Sequence, residues 1–395
     1  MSATRQRPGG AESAAPGAAR AAPPRAAARR PAFERLPLLL LGFVALLAGI
    51  GGGLARLAWP MPQAVAQAAA WHGPLMVCGF FGVVISLERA VAVGRAWAYA
   101  APLLAGVGTA LALHGLGGWA PLLYLAAGIV LALATLSVLQ HQRENFVVML
   151  ALAAALWPLG TALWIGGAAL HEVLPWWLGF LVLTIAGERL ELSRLMPPSP
   201  AALRLFALIV AALLAALAAA PFAAQPAARG FGFGLVLLSW WLARCDVARR
   251  TVLQRGLTRF IALCLLAGYV WLALGGAVMA LAGLWPGTPA YDAALHALLL
   301  GFVFSMVFGH APIIFPAVLR VSLRYHPVFY APLALLHASV ALRLLGDALG
   351  AYGLTRWGAL GSALALAAFI AVMAAAVLRS RRGRRGVAPR RSGPG

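Results

Sequence analysis

Residues 71–93 read WHGPLMVCGFFGVVISLERAVAV, an apolar run long enough to cross a bilayer as one helix. Parts of this run return one hundred positions later, because Gly79-Phe80 and Glu88-Arg89 recur as Gly179-Phe180 and Glu188-Arg189. A third copy keeps only the first of these steps, at Gly301-Phe302. A histidine precedes each copy, and the three are His72, His171 and His296. The pattern predicts three related four-helix units, each of which brings a histidine to the same membrane surface.

The composition agrees with a membrane protein. Of the 395 residues, 63% are hydrophobic and only 10% are charged, which leaves too little polar surface for a soluble globule. Helices must do the crossing, because unpaired backbone groups are too costly in lipid. We therefore predict an all-α polytopic membrane protein with about twelve transmembrane helices. The predicted spans are 37–58, 71–93, 97–116, 118–140, 145–168, 174–192, 201–221, 229–246, 258–284, 291–316, 327–346 and 354–378.

The net charge of +21 invites a nucleic-acid interpretation, but its distribution argues against one. All 31 basic residues are arginines, and the twelve-span layout puts 27 of them on the side of the N-terminus. The exceptions are Arg56, Arg229, Arg343 and Arg356. Such asymmetry follows the positive-inside rule and predicts cytoplasmic termini. A nucleic-acid surface would instead interleave arginines with stacking aromatics on one face, so we expect the bilayer, and no polynucleotide, as a partner.

Three regions follow from these patterns. Residues 1–34 are rich in Ala, Pro and Arg without hydrophobic periodicity, which predicts a disordered cytoplasmic tail. Residues 35–380 form the predicted transmembrane domain. Residues 381–395 are again basic, and we expect a second disordered cytoplasmic tail there.

Ionisable side chains inside membrane spans are the main functional candidates. His72 opens helix 2, His296 lies about one turn into helix 10, and His310 follows fourteen residues later on the same face. A single histidine in a span often makes only an interhelical hydrogen bond. Histidines at matching positions of repeats favour coordination of a metal or haem. Both interpretations stay open at this point.

The acidic repeats and one outer arginine have two interpretations each. Glu88-Arg89 and Glu188-Arg189 fit anchors at helix ends better than they fit a proton or ion path. Arg343 lies at a span end near the level of the outer histidines, where a guanidinium suits a haem propionate. Asp347, four residues later, would satisfy Arg343 locally instead.

At these residues the chain resembles the NnrS family of bacterial membrane proteins. The similar pieces are Trp71-His72, Ala294-Leu295-His296-Ala297-Leu298 and Leu342-Arg343-Leu344-Leu345-Gly346. The resemblance covers roughly residues 35–380. It implies a multi-pass protein of the bacterial inner membrane that contains haem and copper and takes part in the response to nitric oxide, in nitrosative stress or denitrification. The layout is also similar to the catalytic subunit of haem–copper oxidases.

The resemblance implies a ligand set on helices 2 and 10. One haem would be held by His72 together with His296 or His310, with Arg343 beside it. The family pattern continues Trp-His with a second histidine and a glutamate, whereas Gly73-Pro74 follows His72 here. Part of the copper ligand set is therefore absent from the sequence.

The expected role is the binding or buffering of nitric oxide or a related diatomic molecule. The resemblance implies no established reaction, so we assign no catalytic residue and do not expect an enzyme. A secondary transporter without haem is one alternative, since transporters also have internal repeats and broken helices. A structural or assembly subunit is another.

Overall fold

The computed structural model describes residues 35–385, and within that range all regular structure is helical. Eleven of the described helices are long and apolar enough to cross a membrane. The prediction of an all-α, multi-pass membrane protein is confirmed. The predicted tail at 1–34 and residues 386–395 lie outside the described residues, while the last helix continues to Arg385, into the second predicted tail.

Twelve long helices follow one another in the described part of the chain. In chain order, α1 to α12 are Leu36–Arg56, Gln63–Val93, Ala96–Leu113, Gly117–His141, Asn145–Ile165, Leu170–Leu192, Pro200–Ala219, Ala224–Cys245, Gly256–Ala282, Pro289–Leu319, Pro327–Leu349 and Tyr352–Arg385. Most bounds lie within a few residues of the predicted spans.

Helix α8 is the one long helix that falls outside the eleven apolar candidates of the described chain. Its 22 residues include Arg229 and Arg244, which lower its hydropathy. It nevertheless packs between its neighbours: the Trp241 indole donates to Ala202 O of α7 at 2.8 Å, and the Ser239 hydroxyl donates to Tyr269 O of α9 at 2.6 Å. We therefore count it as the predicted eighth span.

Burial distinguishes inner helices from outer ones. The share of residues buried within the most apolar stretch is 61% in α2, 67% in α5, 78% in α6 and 61% in α10, against 28% to 44% in the other candidate spans. The three helices that carry the sequence repeat are thus all inner helices. Because side chains on inner helices face protein on every side, polar groups there need protein partners or a ligand.

The helices form a closed arrangement, because the last one returns to the first. The Arg356 guanidinium of α12 donates to Ala58 O, just after α1, at 2.9 Å and lies over the Trp59 ring. Trp357 meets Trp59 edge to face, with ring centroids 5.1 Å apart. The outer helices expose large apolar side chains such as Leu47, Leu208 and Val270, which are the surfaces that contact lipid.

The glycines of the inner helices allow close packing. A Cβ at Gly79 would lie 2.7 Å from Thr109 Oγ1, and one at Gly82 would lie 2.7 Å from the Trp157 ring. A Cβ at Gly301 would overlap Trp271, and one at Gly309 would press on Cys264. Neighbouring side chains thus fill the space that these glycines provide, so the glycines allow the helices to approach closely.

Candidate functional site

Two histidines from opposite ends of the sequence meet where α2 and α10 begin. The ring centroids of His72 and His296 lie 6.5 Å apart, and the ring planes differ by 23°. We call this end of the bundle the histidine end, defined by His72, Asp292, His296 and Arg343. The predicted convergence of imidazoles from separate units is therefore present for this pair.

His72 is held by the neighbouring helix α1. Its Nδ1 lies 2.7 Å from Gly49 O, and because a carbonyl only accepts, Nδ1–H is the donor. The glycine run of α1 makes room for this contact, since a Cβ at Gly53 would lie 2.8 Å from His72 Cε1 and 2.9 Å from Nδ1. The Nε2 atom of His72 is left as a lone-pair nitrogen.

His296 is held by its own helix and by an ion pair. Its Nδ1 donates to Asp292 O at 2.8 Å and lies 3.2 Å from Asp292 Oδ1. The two carboxylate oxygens of Asp292 also accept from Arg343 of α11, at 2.7 Å from Nε and 2.8 Å from Nη2. Such a carboxylate fixes the tautomer and orientation of an imidazole, as the outer partners of metal-binding histidines do. Nε2 of His296, like that of His72, receives no hydrogen bond from the described residues.

A π-helical segment follows each of these histidines. It spans Leu75–Phe81 in α2 and Ala297–Phe304 in α10. The two segments pack on each other, because Phe80 stacks on Phe304 with centroids 5.8 Å apart and planes 3° apart. We call Phe80, Phe81 and Phe304 the aromatic layer. Single π-helical turns are rare and often occur at functional sites, and here the same distortion lies at matching positions of two repeats.

A second ionisable group lies further along the same inner helices. Glu88 of α2 and Glu188 of α6 come within electrostatic range of each other and of Glu191. Arg189 is buried, and its Nη2 donates to His310 Nε2 at 2.5 Å. We call Glu88, Glu188, Arg189 and His310 the carboxylate end. The aromatic layer lies between it and the histidine end along α2 and α10.

One family model matches the chain, a domain of unknown function designated DUF8744, over residues 35–378. That match takes in all but the last few residues of the twelve helices. The chain belongs to the DUF8744 family. No curated protein matches it, and no solved structure does.

In this DUF8744 protein the predicted site residues separate into two groups. His72 and His296 come together, and Arg343 lies beside them. His310 does not join them, since it is fourteen residues and roughly 21 Å further along α10. Its Nδ1 donates to Met306 O and its Nε2 accepts from Arg189, so both ring nitrogens are engaged.

Arg343 is paired differently from either interpretation of the sequence. Asp292 accepts two hydrogen bonds from the Arg343 guanidinium, whereas Asp347 accepts one from the Thr355 hydroxyl at 3.0 Å. Sequence reasoning missed Asp292, although its position one helical turn before His296 was a readable signal. Arg56, the other outer arginine considered, is exposed and within electrostatic range of His72.

The remaining histidines of the DUF8744 chain have other surroundings. His171, the third histidine of the repeat, borders a separate cavity of about 260 Å³ between α6, α7 and α8. His337 accepts a hydrogen bond from the Trp271 indole at 2.8 Å and so helps to hold Trp271 against Gly301. The described residues contain no group of three or more His, Cys, Asp or Glu side chains arranged to hold a metal ion.

What the histidine end offers chemically is a pair of imidazole nitrogens. An imidazole nitrogen binds a first-row metal at about 2.0–2.1 Å. The ring centroids, 6.5 Å apart, are close enough for both imidazoles to reach one bound group. Both Nδ1 atoms donate to carbonyl oxygens, which leaves Nε2 of each ring without a hydrogen bond from the described residues.

Proposed function

We propose that this protein is an integral membrane haem protein in which His72 and His296 would hold the haem. The observation that carries the proposal is the 6.5 Å spacing of two rings whose Nδ1 atoms are both anchored to carbonyl oxygens. Anchoring of this kind is the usual way in which a protein selects the tautomer of a metal-binding histidine.

Haem fits this donor set better than a bare metal ion. Two imidazoles alone leave a zinc ion short of its usual four ligands, and the nearby Asp292 carboxylate is already bound by Arg343. A haem brings its own ring nitrogens to the iron, so two histidines would be enough protein ligands to hold it. Copper, the other cofactor that the resemblance implies, stays a prediction.

The arginines have different roles in this proposal. Arg343 keeps Asp292 in place, and Asp292 in turn orients the His296 ring. Arg56 is the exposed guanidinium near His72 and makes no ion pair among the described residues. We therefore expect Arg56, rather than Arg343, to bind a propionate carboxylate.

We further propose, from the resemblance to the NnrS family, that the biological ligand is nitric oxide or a related diatomic molecule. Haem iron would supply the binding site for it. His72 is tied to Gly49 O of α1, and His296 to the carbonyl and carboxylate of Asp292, so both rings would be held in place beside the bound group. We also propose that the protein lies in the bacterial inner membrane with both termini in the cytoplasm.

Absorption spectroscopy of the detergent-purified protein tests the haem proposal. We expect a Soret band, one haem per chain by the pyridine haemochrome assay, and loss of most of that haem in His72→Ala and His296→Ala. His141→Ala is the matched control, since this exposed histidine also donates to the carbonyl four residues earlier in its own helix. A colourless protein without iron, or equal haem content in all four proteins, would overturn the proposal.

Transport without haem is the second candidate, and a specific observation favours it. Glu88 and Glu188 lie on two inner helices and face the same interior region as Arg189. Acidic groups buried in a bundle are typical of proton and ion pathways. Proton flux into liposomes that is abolished by Glu188→Gln and unaffected by Glu144→Gln would support transport. No flux from a protein that carries haem would exclude it.

A further inference from the structure

The end of the bundle opposite the histidine end contains a basic cavity that the proposed function does not use. It has a volume of about 520 Å³ and lies between the start of α7, the end of α8 and the short helix Ala248–Thr251. Three arginines line it, Arg244, Arg249 and Arg250, and all three are exposed. We call it the arginine cavity.

The one acidic residue in the lining offsets only one of the three positive charges and forms no ion pair with these arginines among the described residues. Asp246 is buried, its Oδ1 accepts from the Ala248 amide at 2.7 Å, and its Oδ2 accepts from the Tyr269 hydroxyl at 2.5 Å. Both of its oxygens therefore serve the fold. The arginine cavity keeps a net positive charge from its three guanidinium groups.

The guanidinium groups find only weak or partial partners within the described chain. Arg249 donates to Arg244 O at 3.1 Å, and Arg250 points Nη1 at the Met196 sulfur at 2.9 Å. A thioether is a poor acceptor, and each guanidinium has five N–H groups to satisfy. None of the three arginines makes an ion pair with a described residue. The guanidinium N–H groups that line the cavity therefore lack a strong hydrogen-bond acceptor among the described residues.

The start of α7 adds positive potential at the same place. Ser199 lines the cavity and caps the helix, since its hydroxyl accepts from the Ala202 amide at 3.2 Å. The helix then runs for 20 residues from Pro200. The amino end of a helix of this length carries a partial positive charge that favours phosphate.

Apolar groups beside the cavity indicate the membrane surface. Trp240 is 52% exposed one turn before Arg244, and Leu253 is 85% exposed just after the short helix. Tryptophan is enriched at the level of lipid headgroups, and basic pockets between transmembrane helices at that level suit anionic lipids. A phospholipid whose phosphate lies in the cavity would thus have its acyl chains next to Trp240.

We propose that the arginine cavity binds the phosphate of an anionic phospholipid. Guanidinium groups of Arg244, Arg249 and Arg250 would donate to the phosphate oxygens, in the forked geometry that arginine makes with phosphate. Free phosphate would present the same oxyanion to these arginines. A phospholipid differs from it in its acyl chains, which would lie beside Trp240.

Native mass spectrometry of the delipidated full-length protein tests this site. Cardiolipin and phosphatidylcholine are added separately, and inorganic phosphate forms a third arm. We expect cardiolipin to bind, and Arg249→Gln/Arg250→Gln to weaken it at least about tenfold, because each arginine near an anionic lipid contributes on the order of 1 kcal/mol.

The double variant Arg95→Gln/Arg143→Gln is the matched control. It removes the same charge from exposed positions at the same end of the bundle, outside the cavity. Equal cardiolipin affinity in wild type and Arg249→Gln/Arg250→Gln would overturn the proposal, as would equal losses in both double variants. Binding of inorganic phosphate as tight as that of cardiolipin would overturn the assignment to a lipid. Folding of each variant is checked by circular dichroism before the titration.

Discussion

The histidine end and the carboxylate end lie on the same inner helices, yet their imidazoles are held in different ways. His72 and His296 donate through Nδ1 and keep Nε2 free of protein hydrogen bonds. His310 also donates through Nδ1, but its Nε2 accepts from Arg189. Residue type is the same in all three cases, so the partner across the bundle decides which histidine is free to coordinate a ligand.

The two ends also differ in how they neutralise charge. At the histidine end Asp292 and Arg343 form a two-bond ion pair, whereas at the carboxylate end Glu88 and Glu188 lie near each other. The first arrangement fixes a geometry. The second brings two carboxylates within electrostatic range of each other and of Arg89 and Arg189, and buried acidic groups of this kind are typical of proton and ion pathways. The predictions below test whether the ends act independently.

The largest effect is expected at the histidine end, from Asp292→Ala. The change leaves the Arg343 guanidinium, whose side chain is 9% exposed, without its partner. Removing one member of a buried ion pair costs about 3 to 5 kcal/mol of unfolding free energy. Denaturation in detergent should therefore show a clear drop in stability. The double variant Asp292→Ala/Arg343→Ala should lose less than the sum of the two single changes, and additive losses would refute the pairing.

Gly53→Ala should have a smaller effect at the same end. The new Cβ would lie 2.9 Å from His72 Nδ1, so the ring or helix α1 has to shift. Overpacking of this kind costs about 2 kcal/mol, and we expect part of the haem absorption to disappear as well. Gly353→Ala is the control, because its Cβ would meet nothing within 4 Å. Equal stability and haem content in the two variants would contradict the close contact.

At the carboxylate end, His310→Leu removes the acceptor of the Arg189 hydrogen bond. We expect a loss of about 1.5 to 3 kcal/mol in stability, as for other hydrogen bonds to charged groups. The haem spectrum should not change, because His310 lies beyond the aromatic layer. A shift of the Soret band in this variant would contradict the claim that the two ends act independently.

The smallest effect is expected for the exposed ion pair between Glu144 and Arg194. Their closest atoms are 3.7 Å apart, and the side chains are 56% and 47% exposed. Pairs of this kind contribute about 0 to 1 kcal/mol, so Glu144→Gln should leave the unfolding midpoint nearly unchanged and weakly salt-dependent. A loss as large as that of Asp292→Ala would contradict the role given to burial.

The sequence predicts the helices well and their partners poorly. Apolar run lengths and the Gly-Phe repeats locate the spans, because bilayer thickness and helical rise fix how many residues a span needs. The meeting of His72 with His296 follows from the repeat, since equivalent positions of related units reach the same end of the bundle.

Most other contacts between helices could not be predicted from the sequence. The two acidic repeats lie near helix ends, as predicted, but nothing local reveals that Glu88 and Glu188 approach each other inside the bundle. The π-helical turns were missed as well, because the sequence periodicity of a span does not show a single widened turn. The sequence left Arg343 with a haem propionate or Asp347 as its partner, whereas the carboxylate that it binds, Asp292, comes from another helix.

Electron paramagnetic resonance of the oxidised, purified protein tests the central claim most directly, that His72 and His296 share one iron. We predict the low-spin ferric signal of an iron with two imidazole ligands, which changes to a high-spin signal or disappears in His72→Ala and in His296→Ala, and which persists in His310→Leu. A wild-type protein without any ferric signal, or one whose low-spin signal survives both alanine changes, would contradict it.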